Sequence, residues 1–363
     1  MKTIIFGGSF DPIHNGHIEV ALKAKEYLKA DKVIFMLAKH PRWKKNTTND
    51  KQRLEMLRIA LEDYPWAGID LTEINSKDSV NYTYDSVSIV KKKYSGELYF
   101  LIGGDQLNLL DHWYKIDELI KIVKIVCVER PSFSLNKENI DKYHVQVIKQ
   151  PVSDVSSTLI RNMSSLETPL KVIDYIFDNH LYFVQKYLKY FSLKRYNHSL
   201  SVAHLAYKIA NANKVNPYKA FLSGLIHDIG KQQNGDCQTQ YMKDNYPTLL
   251  NQINKELYHQ FYSVKIAQDD FNINDQEIID AIKYHATGNK NMSTLAKIIY
   301  AADKIDPLRG YDSSILIKNC IDDIRVGFKN VLKENIEYLK KNQKDYNNTL
   351  TNACINFYLG RGK

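Results

Sequence analysis

The periodicity of the apolar residues changes partway along the chain, and that change constrains the fold more than any other feature. Up to about residue 155, short apolar runs suited to buried strands occur at Lys2–Phe6, Lys32–Leu37, Leu98–Ile102, Ile122–Val128 and Val145–Ile148. Helical patterns lie between them at Ile18–Leu28, Gln52–Leu61 and Tyr82–Lys93. Strands separated by helices of about 10–15 residues predict βαβ units and a parallel sheet. Beyond that point the strands stop. Val172–Phe177 is helical, and from Val184 onward the periodic segments are all helices: Ser199–Asn211, Tyr218–His227, Lys255–Asp269, Gln276–His285, Leu295–Lys304 and Val326–Lys340. The switch puts a domain boundary near residues 180–192. The expectation is an α/β domain over 1–183 and an all-α domain over 184–363, and 363 residues suffice for two domains.

Composition excludes several classes. Apolar residues make up 44% and charged residues 25%, which leaves out global disorder and collagen-like structure. No apolar run approaches the ~18–20 residues that span a bilayer, so no membrane partner is expected. Met1–Phe6 runs straight into Gly7-Gly8 with no signal-peptide apolar region. The cysteines, Cys127, Cys237, Cys320 and Cys354, form no CxxC pair, so neither a disulfide framework nor a thiolate zinc site is expected. A cytoplasmic chain is the expectation. The net charge of +9 suits nucleic acid or small polyanions such as nucleotides. The lysines are scattered and no reading helix or RNA-binding motif accompanies them, so nucleotides are the expected partners and nucleic acid is not.

The first strand ends in Gly7-Gly8-Ser9-Phe10-Asp11-Pro12-Ile13-His14-Asn15-Gly16-His17. Two glycines let the backbone turn sharply and approach a ligand. Two histidines flank a glycine at the mouth of the next helix, where free N–H groups favour phosphate. Imidazoles there can donate to the charge that develops as a phosphoanhydride breaks. The run is neither a P-loop nor a GxGxxG fingerprint. Ser156-Ser157-Thr158-Leu159-Ile160-Arg161 is a second anion feature, with hydroxyls opening a helix and a guanidinium about one turn later.

These segments resemble the HxGH nucleotidyltransferase superfamily, and within it bacterial nicotinate-mononucleotide adenylyltransferases. The motif GG(S/T)FDPxHxGH is matched at Gly7–His17, and (I/V)SSTxIR at Val155–Arg161. Pro41 through Lys44 sits where the family has a proline-rich loop ending in lysine, and Arg53 opens the following helix as expected. Asn81-Tyr82-Thr83-Tyr84-Asp85 resembles the SYTxDT segment. Gly103-Gly104-Asp105-Gln106-Leu107 with Trp113 resembles G-x-D-x-L…W, and Arg130-Pro131 matches another family position. Arg42-Trp43 and Asn81 depart from the pattern. Phosphopantetheine adenylyltransferases share both end motifs but lack the Gly-Asp…Trp segment. The resemblance covers about residues 1–183 and implies a Rossmann-like domain. There the 5′-phosphate of nicotinate mononucleotide attacks the α-phosphorus of ATP, Mg²⁺ accompanies the ATP, and pyrophosphate leaves. It makes His14, His17, Lys44 and Arg161 catalytic. It assigns Gly7, Gly8, Ser9, Phe10, Ser156, Ser157 and Thr158 to ATP, and Tyr82, Thr83, Gly103, Asp105, Trp113 and Arg130 to the rest of the substrate site.

The helical half carries His198, His204, His227-Asp228, His259, His285 and Asp303. Adjacent residues on a helix point about 100° apart, so His227 and Asp228 can serve two metals between them. Carboxylates with imidazoles suit iron or manganese. Asp303, in Ala301-Ala302-Asp303-Lys304, is costly to bury without a cation. His204 falls on another face of its helix from His198 and reads as structural. The set resembles the HD phosphohydrolase superfamily, in particular its YqeK-like branch of symmetrical diadenosine tetraphosphatases, over about residues 190–345. Ala286 and Gln260 depart from that branch's pattern. The resemblance implies a dinuclear iron or manganese centre held by His198, His227, Asp228, His259, His285 and Asp303, with Asp228 and Lys231 catalytic. It further implies that Lys231, Arg195 and Arg309 neutralise phosphates, and that diadenosine tetraphosphate is cut to two ADP. Two alternatives stay open: another nucleotide as substrate (an alarmone, a cyclic dinucleotide or a nucleoside monophosphate), or a nucleotide sensor regulating the transferase. Residues 326–363 carry no catalytic signal; packing on their own domain and self-association as a homo-oligomer are the roles open to them.

Overall fold

The computed structural model describes residues 1–39, 48–76, 81–129, 134–149 and 155–360. Lys44 and Arg130 lie outside the described residues. The chain divides into two compact units: Met1–Arg161 with Glu167–Tyr182, and Asn162–Leu166 with Phe183–Lys363.

The first unit is built on six strands: β1 (Lys2–Gly8), β2 (Lys32–Leu37), β3 (Ala67–Asp70), β4 (Glu97–Gly103), β5 (Lys124–Val128) and β6 (Gln146–Ile148). They pair in the order β3-β2-β1-β4-β5-β6, every neighbour parallel. Helices cover a parallel sheet on both faces, so its strands read as continuous apolar runs. Ile4, Ile5, Val33, Phe35, Leu101 and Val126 are all buried accordingly. The expected parallel sheet is therefore present. The strand order reverses between β1 and β4, and ligands of such sheets bind in the crevice beyond the carboxyl ends at that switch point. Sequence periodicity misses β3, a short, half-exposed edge strand. It also reads Ile122–Val128 as one strand. The helix Ile116–Ile122 instead closes on Leu119, through the Val123 N–H, and β5 begins at Lys124. An apolar run that spans a helix end and a strand start looks uniform in sequence.

The second unit is helical, as expected. Its longer helices are Leu193–Ala212, Pro217–Ile226, Gly235–Asn245, His259–Phe271, Gln276–Lys283, Thr294–Ile305, Ser314–Asp322, Ile324–Lys341 and Thr349–Leu359. The segment Lys255–Asp269 is not one helix. A 3-10 turn at Lys255–Leu257 gives way to a helix that starts at His259. The terminal helices pack on their own unit: Phe328 lies edge-on to Tyr300 at 5.3 Å and to Tyr358 at 5.0 Å. No helix among the described residues is long and apolar enough to cross a membrane.

Helix Pro217–Ile226 crosses Leu193–Ala212 closely. A Cβ added at Gly224 would sit 2.8 Å from the Ala203 Cα, a backbone atom that cannot swing aside. In an open helix, Gly→Ala would stabilise by up to ~1 kcal/mol. Here Gly224→Ala is expected to destabilise by about 1–3 kcal/mol through overpacking. Urea unfolding midpoints check this; an unchanged or raised midpoint would mean the helices part without cost.

Candidate active sites

At the carboxyl ends of β1 and β4 the first unit holds a cavity of about 560 Å³. Its wall includes Gly7, Gly8, Ser9, His14, His17, Tyr82, Thr83, Gly103, Asp105, Trp113, Ser156, Ser157, Thr158 and Arg161. All were expected from sequence to serve one site. His14 and His17 stack with ring centroids 3.6 Å apart. The His14 backbone N–H donates to His17 Nδ1 at 3.2 Å. A ring nitrogen that accepts carries no proton, so neutral His17 holds its proton on Nε2. The close packing needs Gly16, where a Cβ would stand 3.1 Å from the His14 ring. Phe10 lies outside the cavity wall. It is 1% exposed and stands edge-on to His17 at 5.1 Å, so it supports the histidine from behind.

Residues distant in sequence staple the loop between β1 and its helix. The Arg161 guanidinium donates to the Asp11 carbonyl at 2.6 Å and to Thr158 Oγ1 at 2.9 Å, and Ser157 Oγ donates to the Pro12 carbonyl at 2.9 Å. Tyr182 and Thr48 hydroxyls both donate to Asp11 Oδ1, at 2.7 and 2.6 Å. Thr168 Oγ1 donates to the Ile13 carbonyl at 2.8 Å. Arg53, fully buried, holds the Ser9 carbonyl at 2.7 Å and the Asp50 carboxylate at 2.6 Å. Around the far wall, Trp113 stands edge-on to Phe100 at 5.9 Å, and Tyr82 packs on Tyr114 at 4.4 Å. Sequence reasoning missed Glu73, which lines the cavity; burial pushes its carboxyl up. It missed the staples Tyr182 and Thr168 too. No local pattern marks them, because their partners lie more than 150 residues away.

In the second unit, two groups of ligand atoms converge. His198, His227 and Asp303 form one, His227, Asp228 and His285 the other, and within each group the atoms lie within 4.8 Å of one another. His259 joins the second group: its Nε2 is 3.2 Å from both Asp228 Oδ1 and His285 Nε2. Each imidazole has its Nδ1 committed elsewhere. His227, His259 and His285 bond the carbonyls of Gly224, Glu256 and Ile282, three residues back, at 2.6, 2.7 and 2.7 Å. His198 Nδ1 meets Asp306 Oδ2 at 2.6 Å. The break before His259 exposes the Glu256 carbonyl that fixes its ring. His204 stays apart, edge-on to Phe221 at 5.2 Å.

Charge surrounds the two carboxylates. Arg195 lies 2.6 Å from Asp228 Oδ2, while Lys304 and Arg309 lie 2.7 and 2.5 Å from Asp303. Burial would raise the Asp228 carboxyl, but the neighbouring imidazoles of His227, His259 and His285 hold it well below the usual carboxylate range. Lys304 and Arg309 do the same for Asp303 against its burial. Burial pushes His285 down to about 3 and lowers His259, keeping both neutral as ligation requires. Burial would lower His198 too, but Asp303 and Asp306 raise it to about 9. Lys231, lowered by burial, places Nζ 3.2 Å from His259 Nδ1. The donor set fits a cation. His227 Nε2 is fully buried, makes no hydrogen bond, and stands 3.6 Å from Asp303 Oδ1 and 3.7 Å from Asp228 Oδ2.

A parallel sheet with a histidine pair at its switch point, in one chain with a helical histidine–aspartate cluster, defines a nucleotidyltransferase-type domain followed by an HD domain. Family models agree: cytidylyltransferase-like over residues 5–163 and HD domain over 195–308. The Mycoplasma genitalium protein named "Probable nicotinate-nucleotide adenylyltransferase/Ap4A hydrolase" is 35% identical over 85% of this chain and 88% of its own length. Its Mycoplasma pneumoniae counterpart of the same name is 30% identical over 94% of this chain and 100% of its own length. The chain belongs to this nicotinate-nucleotide adenylyltransferase/Ap4A hydrolase family. A Bacillus subtilis nicotinate-nucleotide adenylyltransferase is 35% identical over 50% of this chain and 99% of its own length.

Arg53 offers a direct check on the stapled loop. Hydrogen bonds to a charged group contribute about 1.5–3 kcal/mol. Arg53→Met keeps much of the buried stem and is expected to destabilise the first unit by about 2–3 kcal/mol in chemical denaturation. An unchanged midpoint would mean that the other staples hold the loop by themselves.

Proposed function

We propose that the chain is a bifunctional enzyme. Residues 1–183 transfer AMP from ATP to nicotinate mononucleotide, giving nicotinate adenine dinucleotide and pyrophosphate. Residues 184–363 hydrolyse diadenosine tetraphosphate to two ADP. The observation that carries the reading is the presence, in one chain, of a switch-point cavity with a stacked histidine pair and of two ligand groups that share His227. The relatives that span nearly the whole chain, by their names, support the same pairing.

Adenylyl transfer needs positioning and charge stabilisation rather than a covalent nucleophile. MgATP would lie with its triphosphate against His14 and His17. The His17 Nε2–H would donate to the charge that grows as the α–β bridge breaks. Arg161, Ser157 and Thr158 fix the loop beneath the phosphates, and Lys44 supplies a further cation. Tyr82, Thr83, Asp105 and Trp113 shape the nucleoside and pyridine walls.

In the helical unit, His198, His227, Asp228 and Asp303 would hold one metal, and Asp228, His259 and His285 a second, with iron or manganese suited to the nitrogen and oxygen donors. When bound, such a pair activates water near neutral pH and neutralises phosphate charge. Water adds to a central phosphorus of the tetraphosphate, the bridging P–O bond breaks, and each half leaves as ADP. Arg195 and Arg309, beside the two carboxylates, and Lys231, beside His259, would take up charge on the phosphates.

Paired substitutions test the reading. His17→Ala should lower adenylyl transfer by about 100-fold or more and leave hydrolysis intact. Asp228→Ala should abolish hydrolysis and leave transfer intact. Loss of both activities in either variant, with native circular dichroism, would contradict two separate sites.

A further inference from the structure

Asp306 stands one turn past Asp303, outside the ligand groups, yet it is fully buried. Three features set it apart. Its Oδ2 meets His198 Nδ1 at 2.6 Å. Its Oδ1 accepts from Ser201 Oγ at 2.5 Å and from the Leu308 N–H at 3.3 Å, capping the short turn that carries Arg309. And it makes His198 unlike its neighbours, since His227, His259 and His285 all direct Nδ1 to a neutral backbone carbonyl.

A carboxylate on the remote nitrogen of a ligating histidine fixes its tautomer and orientation and increases its basicity, and its loss costs 10–100-fold in metal affinity. His198 also needs this help most. Its side chain is 12% exposed, against 0, 3 and 1% for His227, His259 and His285, so packing confines it least. Of the two ligand groups, His198 belongs only to the one with His227 and Asp303.

We propose that Asp306 is a positioning residue for His198 and that it strengthens one of two metal positions, the one formed by His198, His227 and Asp303. Loss of the Asp306 charge should therefore weaken that position and spare the other. The inference rests on the dinuclear reading above. It deepens that reading by assigning a carboxylate that touches neither metal nor substrate.

The test is calorimetric titration of Mn²⁺ into the metal-stripped full-length chain, with metal content measured after gel filtration. Wild type should take two Mn²⁺ in two resolvable steps. Asp306→Asn keeps an oxygen for Ser201 and Leu308 but removes the charge facing His198. It should weaken one step about 10–100-fold and leave the other unchanged. Ser201→Ala should weaken the same step by less, with the unfolding midpoint of both variants near wild type. Two unchanged steps in Asp306→Asn, or two steps weakened alike, would overturn the inference while leaving the dinuclear reading standing. Fewer than two Mn²⁺ in wild type would overturn the reading itself, and the inference with it.

Discussion

Two ionised carboxylates in a helical core set the terms for the second half of this chain. Asp228 and Asp303 are each 5% exposed, and desolvating such a group costs several kcal/mol unless opposite charge and hydrogen bonds offset it. Arg195 compensates one side, Lys304 and Arg309 the other, and four imidazoles face the space between. Much of the helical unit serves that arrangement. Gly224 lets two helices approach until His198 and His227 rings stand 5.4 Å apart. The interruption at Tyr258 turns a carbonyl onto His259. Every Nδ1 has a fixed partner, so every Nε2 points inward with little freedom left to lose on ligation.

The first half solves a different problem. Its histidine pair opens a helix that follows a loop, and loops are mobile unless tied down. Here side chains from residues 48, 53, 157, 161, 168 and 182 bind successive groups of residues 9–13. The sheet supplies the location, since strand order reverses where Gly8 and Gly103 end their strands. The staples supply the precision that a phosphate-transfer site needs. Serine and arginine of the Ser157–Arg161 segment therefore do two things at once: they line the cavity and hold the loop that leads from β1 to the histidine pair.

The legible parts of the sequence were those encoded locally. Alternating apolar runs gave the parallel sheet, and the Gly7–His17 and Ser156–Arg161 segments marked one cavity. His227-Asp228 with four spaced partners marked a cluster that the structure brings together. What escaped was set by contacts between distant positions or by ends of elements. The edge strand Ala67–Asp70 is too short and too exposed to show a period. The break before His259 hides inside a continuous helical pattern. Phe10 reads as part of a ligand motif, but its ring turns inward to support His17. Asp306 looks like an ordinary helix-ending aspartate until His198 is found against it. Tyr182 lies between the buried Leu181 and Phe183, with nothing nearby in sequence to suggest that it reaches Asp11.

We read the helical unit as a symmetrical dinucleotide hydrolase in the same chain as an adenylyltransferase. The direct measurement is to incubate the manganese-loaded chain with diadenosine tetraphosphate and separate the products by anion exchange. ADP is expected as the sole product. AMP with ATP would contradict the symmetrical cut, and no turnover with metal bound would contradict the assigned substrate.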